Sequence, residues 1–163
     1  MTFVGLGVTA GAPAIGYLSD RVLKSRRRPY VLAMAAFTAF WACIALPAAG
    51  PPRVLLVPLL FLFGLAGSGY VVTWSLAREV NPPRYSGIAT ATVNAGGFLG
   101  AALLQGVLGR ILDARWAGAI EAGARRYPPA AYREAFLYGL GALALATLLS
   151  LAVRETWGRA ATE

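Results

Sequence analysis

The 163 residues of this chain include no histidine and only one cysteine, Cys43. A histidine-containing zinc site, a Ser/His/Asp triad and a histidine proton relay are therefore excluded within this sequence. One cysteine can form neither a disulfide framework nor a paired-thiol metal site. We accordingly expect no catalytic residue, no metal site and no cofactor, and we do not expect the chain to be an enzyme.

Charged residues are also scarce, at 13% of the chain, whereas 58% of the residues are hydrophobic. Because a helix rises ~1.5 Å per residue, about 20 apolar residues cross a hydrocarbon core of about 30 Å. Barrel strands would instead be about 10 residues long and strictly alternating. The sequence predicts an all-α polytopic membrane bundle, a single membrane domain over residues 1–163. The predicted transmembrane helices are about 1–19, 30–49, 54–77, 86–110 and 135–153.

The net charge of +8 would favour nucleic acid as a partner in a soluble protein. Here the Lys and Arg residues lie at the ends of apolar segments, which is typical of membrane boundaries, so we expect lipids and no nucleic acid. Nine of them fall on one side of the predicted topology and six on the other. The excess predicts a cell (inner) membrane protein with its N-terminus outside and its C-terminus in the cytoplasm.

Within the long connection at 110–134, we expect a short interfacial helix over 114–126 that carries Trp116.

Small residues recur four positions apart within three of the apolar segments. This spacing places both members of a pair on one helical face, where backbones can approach closely. Tight packing of a membrane bundle and glycine faces that slide during gating both fit the pattern. The pairs are Gly7 with Gly11, Gly64 with Ser68, and Gly96 with Gly100.

The most specific local pattern follows the first apolar segment. Gly16, Asp20 and Arg21 are spaced as Gly-x-x-x-Asp-Arg, and a basic cluster that includes Arg26 and Arg27 comes next. The pattern resembles a motif of the major facilitator superfamily, although that family has a glycine at the position of Leu23. The resemblance implies a gating latch that stabilises one access state. The other interpretation is a generic basic turn at the membrane surface.

A second resemblance lies in the connection at 78–87 and the segment at 89–97, which are similar to the loop before helix eleven in bacterial sugar-phosphate-permease-like members. On this alignment the chain is the C-terminal portion, helices eight to twelve of a twelve-helix fold.

The chain also begins directly in an apolar segment, with no basic leader or cleavage site. We therefore expect a truncated product or a fragment of a secondary transporter for a small solute, which lacks its N-terminal half and is not competent alone. The alternative is a small multi-pass scaffold or assembly protein without transport activity.

Polar side chains within the apolar segments are candidate contacts for a small-molecule substrate. Asn94 and Gln105 share one stripe, since 11 residues at ~100° each place them within about 20° of one another. An amide in lipid is costly without a partner, so both are expected to face the bundle interior or a cavity. Interhelical hydrogen bonding and substrate contact remain equally open interpretations.

The third apolar segment adds three further cavity candidates, Tyr70, Thr73 and Trp74, which share a face. No Asp or Glu lies in the middle of any predicted span, so an intramembrane proton carrier is not expected. If transport is coupled to an ion, Glu79 at the rim of the third span is the candidate.

Overall fold

The computed structural model describes residues 2–47 and 50–159. Within these residues the chain forms six α-helices, three short helical turns and one antiparallel β-hairpin. Helix α1 continues through a π-helical turn (Leu18–Val22), and α3 continues through a 3-10 turn (Ser68–Tyr70) into α4. The helices are α1 (Thr2–Tyr17), α2 (Arg27–Ala45), α3 (Arg53–Gly67), α4 (Val71–Glu79), α5 (Ser86–Ala114) and α6 (Pro129–Ser150), and the strands are β1 (Ile120–Glu121) and β2 (Ala124–Arg125).

Four helical units of the described residues are long and apolar enough to cross a membrane: Thr2–Val22, Arg27–Ala45, Arg53–Glu79 and Pro83–Ala114. The prediction of an all-α membrane bundle is confirmed. The fifth predicted span falls on α6, a 22-residue helix whose first turns carry Arg133 and Glu134. Its crossing of the membrane stays a prediction.

Helices α1 and α3 approach each other closely because glycines remove the obstacle of a side chain. A Cβ added to Gly7 would lie 2.1 Å from the carbonyl oxygen of Phe61, and one added to Gly64 would lie 2.1 Å from that of Val4. These distances are shorter than any real contact, so only glycine fits at either position. Gly7 and Gly64, each one member of a small-residue pair, therefore lie where α1 and α3 pack tightly, as expected for helices that associate in lipid.

Helix α5 differs from the other long helices because none of its residues is buried. An added Cβ at Gly96 or Gly100 would meet no atom within 4 Å. The face that carries these two glycines is therefore open in the described structure, and no packing contact there explains their spacing.

A β-hairpin, and not the expected interfacial helix, follows α5. The prediction over 114–126 was wrong because the turn between the strands requires positive φ angles, 49° at Ala122 and 80° at Gly123, which favour a tight hairpin turn over a helix. The Trp116 indole donates a hydrogen bond to the Ala119 carbonyl at 2.9 Å, and the Arg125 guanidinium lies 4.5 Å from the Trp116 ring centroid.

The buried hydrophobic cluster lies towards the opposite end of the bundle from this hairpin. Ile15 of α1, Ala33 of α2 and Val72 and Leu76 of α4 form it, and Val153 of the C-terminal segment packs against it. These contacts bring the end of α1, the start of α2, the end of α4 and the segment after α6 to one place. The same four segments carry the polar side chains described next.

Candidate functional site

Seven polar side chains from these four segments are joined by hydrogen bonds and ion pairs, and we call them the Arg26 network. The chain crosses the bundle in alternating directions, with α3 and α4 forming one crossing. The C-terminal ends of α1, α4 and α6 and the N-terminal end of α2 therefore lie at the same end of the bundle. The members of the Arg26 network are Ser19, Asp20, Ser25, Arg26, Glu79, Glu155 and Thr156.

The guanidinium of Arg26 lies at the centre of the network. Its Nε donates to Glu79 at 2.9 Å, and its Nη1 donates to the Ser19 hydroxyl at 2.9 Å and to the carboxylate of Asp20. The side chains of Arg26 and Glu79 are 17% and 12% exposed, whereas that of Asp20 is 57% exposed. Arg26 thus joins the end of α1 to the end of α4 through one largely buried ion pair and one that faces solvent.

The carboxylate of Glu155 connects the segment after α6 to the same loop. It accepts hydrogen bonds from the hydroxyl of Ser25 and from the backbone N–H groups of Arg26, at 2.8 Å, and of Trp157, at 3.1 Å. Ser25 is 1% exposed, and its hydroxyl oxygen also accepts a hydrogen bond from the backbone N–H of Arg28 at 3.1 Å. The segment after α6, which we call the tail, is therefore held against the loop between α1 and α2 by the Ser25 hydroxyl and the Arg26 N–H, which both donate to this carboxylate.

Thr156 closes the network, since its hydroxyl donates to the second carboxylate oxygen of Glu79. Glu79 consequently receives one hydrogen bond from Arg26 and one from the tail. Any separation of α4 from the end of α1 breaks the contact with Arg26, and any departure of the tail breaks the contact with Thr156.

The surroundings of the two central groups favour their charged forms. For Arg26, burial lowers the pKa, but hydrogen bonds and charge attraction from Asp20 and Glu79 outweigh burial and raise it above its usual value. For Glu155, burial raises the pKa, but the hydrogen bonds from Ser25 and from backbone N–H groups outweigh it and lower the pKa to about 2. Both groups are charged at neutral pH.

The low pKa of Glu155 gives a testable pH dependence. A carboxylate whose pKa is lowered by folding contributes stability above its unfolded pKa, 4.5, and this contribution is lost as the pH falls towards about 2. We expect the tail to detach in that window, which Trp157 fluorescence would report. Glu155→Gln should remove this part of the pH profile, and an unchanged profile in the variant would assign it to other carboxylates.

The five residues of the predicted gating motif make different contacts in the structure. Asp20 pairs with Arg26, whereas Arg21 is exposed and takes part in no ion pair among the described residues. Arg27 donates to the carbonyl oxygen of Leu151. An added Cβ at Gly16 would meet no atom within 4 Å, so this glycine is not at a close contact between helices.

Glu79 has a defined partner in the structure. Sequence reasoning assigned it to the rim of a span as a possible coupling group, and the structure pairs it with Arg26. A role in ion coupling stays a prediction.

Four members of the Arg26 network, Ser19, Ser25, Glu155 and Thr156, were not singled out from the sequence. Glu155 carried a usable signal, because it is an acidic residue between two arginines, Arg154 and Arg159, in the segment after α6. The two serines carried none, since their function depends on which loop atoms face them.

Three of the five cavity candidates come together where α4 meets α5. The indole N–H of Trp74 donates to the amide oxygen of Asn94 at 3.2 Å, and the rings of Tyr70 and Trp74 pack edge to face at 5.2 Å between centroids. Thr73 lies beside them, but its hydroxyl donates to the Tyr70 carbonyl. Gln105 is exposed and lies about 16 Å further along α5, away from this cluster.

Comparison with known proteins gives one result. The family model described as Major Facilitator Superfamily matches residues 1–162, which is nearly the whole chain. No curated protein and no solved structure has a significant match to it.

Proposed function

The chain belongs to the major facilitator superfamily, and on this premise we propose that it is the C-terminal part of a secondary transporter in which the Arg26 network is a latch. The transport of a small solute across a membrane follows from the family. The assignment to helices eight to twelve, the likeness to sugar-phosphate permeases and the position of the latch on the cytoplasmic side of the inner membrane are parts of the proposal.

The observation that carries the proposal is the position of Arg26 where the end of α1, the start of α2 and the end of α4 meet. Alternating access rocks one half of a transporter against the other around a site near the midplane, so each half must hold its helix ends in a defined arrangement in each access state. On the proposed alignment α1 is a gating helix, and the unit formed by α3 and α4 lines the cavity. The Arg26–Glu79 ion pair, with 17% and 12% of the two side chains exposed, joins the loop between α1 and α2 to the end of α4, and we infer that this arrangement belongs to the state in which this end is closed.

The uncovered side of the molecule supports a missing half. None of the residues of α5 is buried, and Tyr70 is 47% exposed beside the hydrogen-bonded pair of Trp74 and Asn94. A polar pair on a lipid-facing surface would be costly, whereas a second half would enclose it in a cavity. We propose that Tyr70, Thr73, Trp74 and Asn94 line that cavity, with Gln105 at a different depth.

The open face of α5 also fits the alternative of a scaffold that binds other helices. That role requires no preceding half and no transport, so genetic context separates the two. We expect the reading frame upstream of residue 1 to encode further apolar spans of the same transporter.

Uptake measurements test the proposed function. Proteoliposomes that contain the chain joined to its upstream spans should accumulate at least one member of a panel of organic anions, sugar phosphates and drugs. The 163-residue chain alone should not, because one incomplete half leaves the path open to lipid. If no upstream spans are encoded and the isolated chain instead copurifies with another membrane protein, the scaffold function replaces the transporter.

A further inference from the structure

A groove of about 450 Å³ lies between the start of α2 and the segment that follows α6. We call it the α2 groove. Its residues include four apolar side chains and two arginines: Leu23, Val31, Leu32, Leu151, Arg27 and Arg28. It lies at the same end of the bundle as the Arg26 network, with which it shares Glu155.

Both arginines of the α2 groove keep their positive charge available. Arg27 donates one hydrogen bond to the carbonyl oxygen of Leu151, and the guanidinium of Arg28 lies 5.8 Å from the ring centroid of Trp157. Neither arginine forms an ion pair within the part of the chain that the structure describes. Glu155 also borders the groove, but its carboxylate accepts hydrogen bonds from the loop.

The rest of the groove surface is apolar and open. Leu32 is 60% exposed and Leu151 is 48% exposed, and both lie at the end of a helix of the membrane bundle. A soluble anion would gain nothing from these side chains, whereas an acyl chain would bury them. Trp157 at the rim is of the residue type that favours the headgroup region of a bilayer.

We propose that the α2 groove binds an anionic phospholipid. Its phosphate is held by Arg27 and Arg28, and its acyl chain lies across Leu32 and Leu151. Arginine is well suited to this task because its guanidinium donates two parallel hydrogen bonds to phosphate oxygens. Basic groups at the ends of membrane helices attract anionic headgroups, which supplies the selectivity against zwitterionic lipids. The proposal rests on the geometry of this groove and does not require the chain to transport anything.

The test compares lipid binding to the purified 163-residue chain by native mass spectrometry. Dioleoyl-phosphatidylglycerol should bind about tenfold more tightly than dioleoyl-phosphatidylcholine, a difference of about 1.4 kcal/mol. The double variant Arg27→Gln/Arg28→Gln should lose about that factor for phosphatidylglycerol. Arg78→Gln is the matched control, because Arg78 is an exposed arginine at the same end that does not line the groove.

Further measurements separate the proposal from its rivals. Arg28→Lys keeps the charge but not the two parallel hydrogen bonds, so it should keep the preference for the anionic lipid and lose part of the affinity. A circular dichroism spectrum should show that each variant remains helical. Equal binding of the two lipids to the unaltered chain would overturn the proposal, as would an equal loss in Arg78→Gln, which would indicate diffuse charge attraction. Displacement of the lipid by inorganic phosphate or glycerol phosphate would assign the groove to a soluble anion instead.

Discussion

Replacing Arg26 with glutamine is expected to lower the free energy of unfolding by about 2 to 3 kcal/mol. This is the largest loss that we expect for any charged residue of the Arg26 network. Removal of one partner of a buried ion pair typically costs about 3 to 5 kcal/mol, because the other charge is left without compensation. The effect here is smaller because solvent reaches Asp20, whose side chain is 57% exposed and can regain water. Glu79, at 12% exposed, cannot.

The matched control is Arg21→Gln, which also removes one positive charge from this loop. Arg21 is the arginine of the Gly-x-x-x-Asp-Arg motif. Arg21 is exposed and has no ion pair among the described residues, so its loss should cost less than about 0.5 kcal/mol. Thermal unfolding in detergent, followed by circular dichroism, provides the measurement. Equal shifts in both variants would assign the effect to the total charge of the loop and not to the geometry of Arg26.

Replacing Gly7 with alanine is expected to have the second large effect, a loss of about 3 kcal/mol or more of bundle stability. Inserting a methyl group into a packed site commonly costs about 1 to 3 kcal/mol when side chains can adjust. Here the added Cβ would lie 2.1 Å from the carbonyl oxygen of Phe61 and 2.8 Å from the backbone nitrogen of Leu65. Backbone atoms cannot rotate away, so α1 and α3 must move apart.

Gly5→Ala is the control for this prediction, since it places the same substitution on the same helix where an added Cβ meets nothing within 4 Å. It should be neutral or slightly stabilising, because alanine favours a helix over glycine by about 1 kcal/mol. Crosslinking of cysteines placed on α1 and α3 would report the separation directly. If the Gly7→Ala variant proved as stable as the Gly5→Ala variant, the two helices would not be in the contact described.

Composition and spacing predicted the helices and their close contact well. Long uncharged segments leave few alternatives in a membrane, and Gly7 and Gly64 stand where an interhelical contact excludes a side chain. The same spacing at Gly96 and Gly100 has no such partner among the described residues, so spacing alone does not reveal what a glycine face meets. The hairpin was missed because Ala122, an ordinary residue, adopts a positive φ beside Gly123.

The Arg26 network shows where local sequence patterns stop being informative. Asp20 and Arg21 are neighbours in the chain, but Asp20 pairs with the arginine six residues away, after the loop has turned through Lys24 at a φ of 45°. Glu155 reaches the backbone of Arg26 across 129 residues. Such pairs depend on how four segments meet, which no motif within one loop can encode.

The central claim, that Arg26 holds one end of the transport path closed, is tested most directly by accessibility at Asn94. The experiment uses the chain joined to its upstream spans, with Cys43 replaced by serine and a single cysteine placed at position 94. A membrane-impermeant thiol reagent is added on the side of the Arg26 network, and the rate at which it labels this cysteine is measured. Adding Arg26→Gln should increase its labelling rate several-fold, whereas Arg21→Gln should not. A cysteine at the control position Leu99, about 140° around α5 from Asn94, should respond to neither. Unchanged labelling at position 94 after loss of Arg26 would contradict the latch.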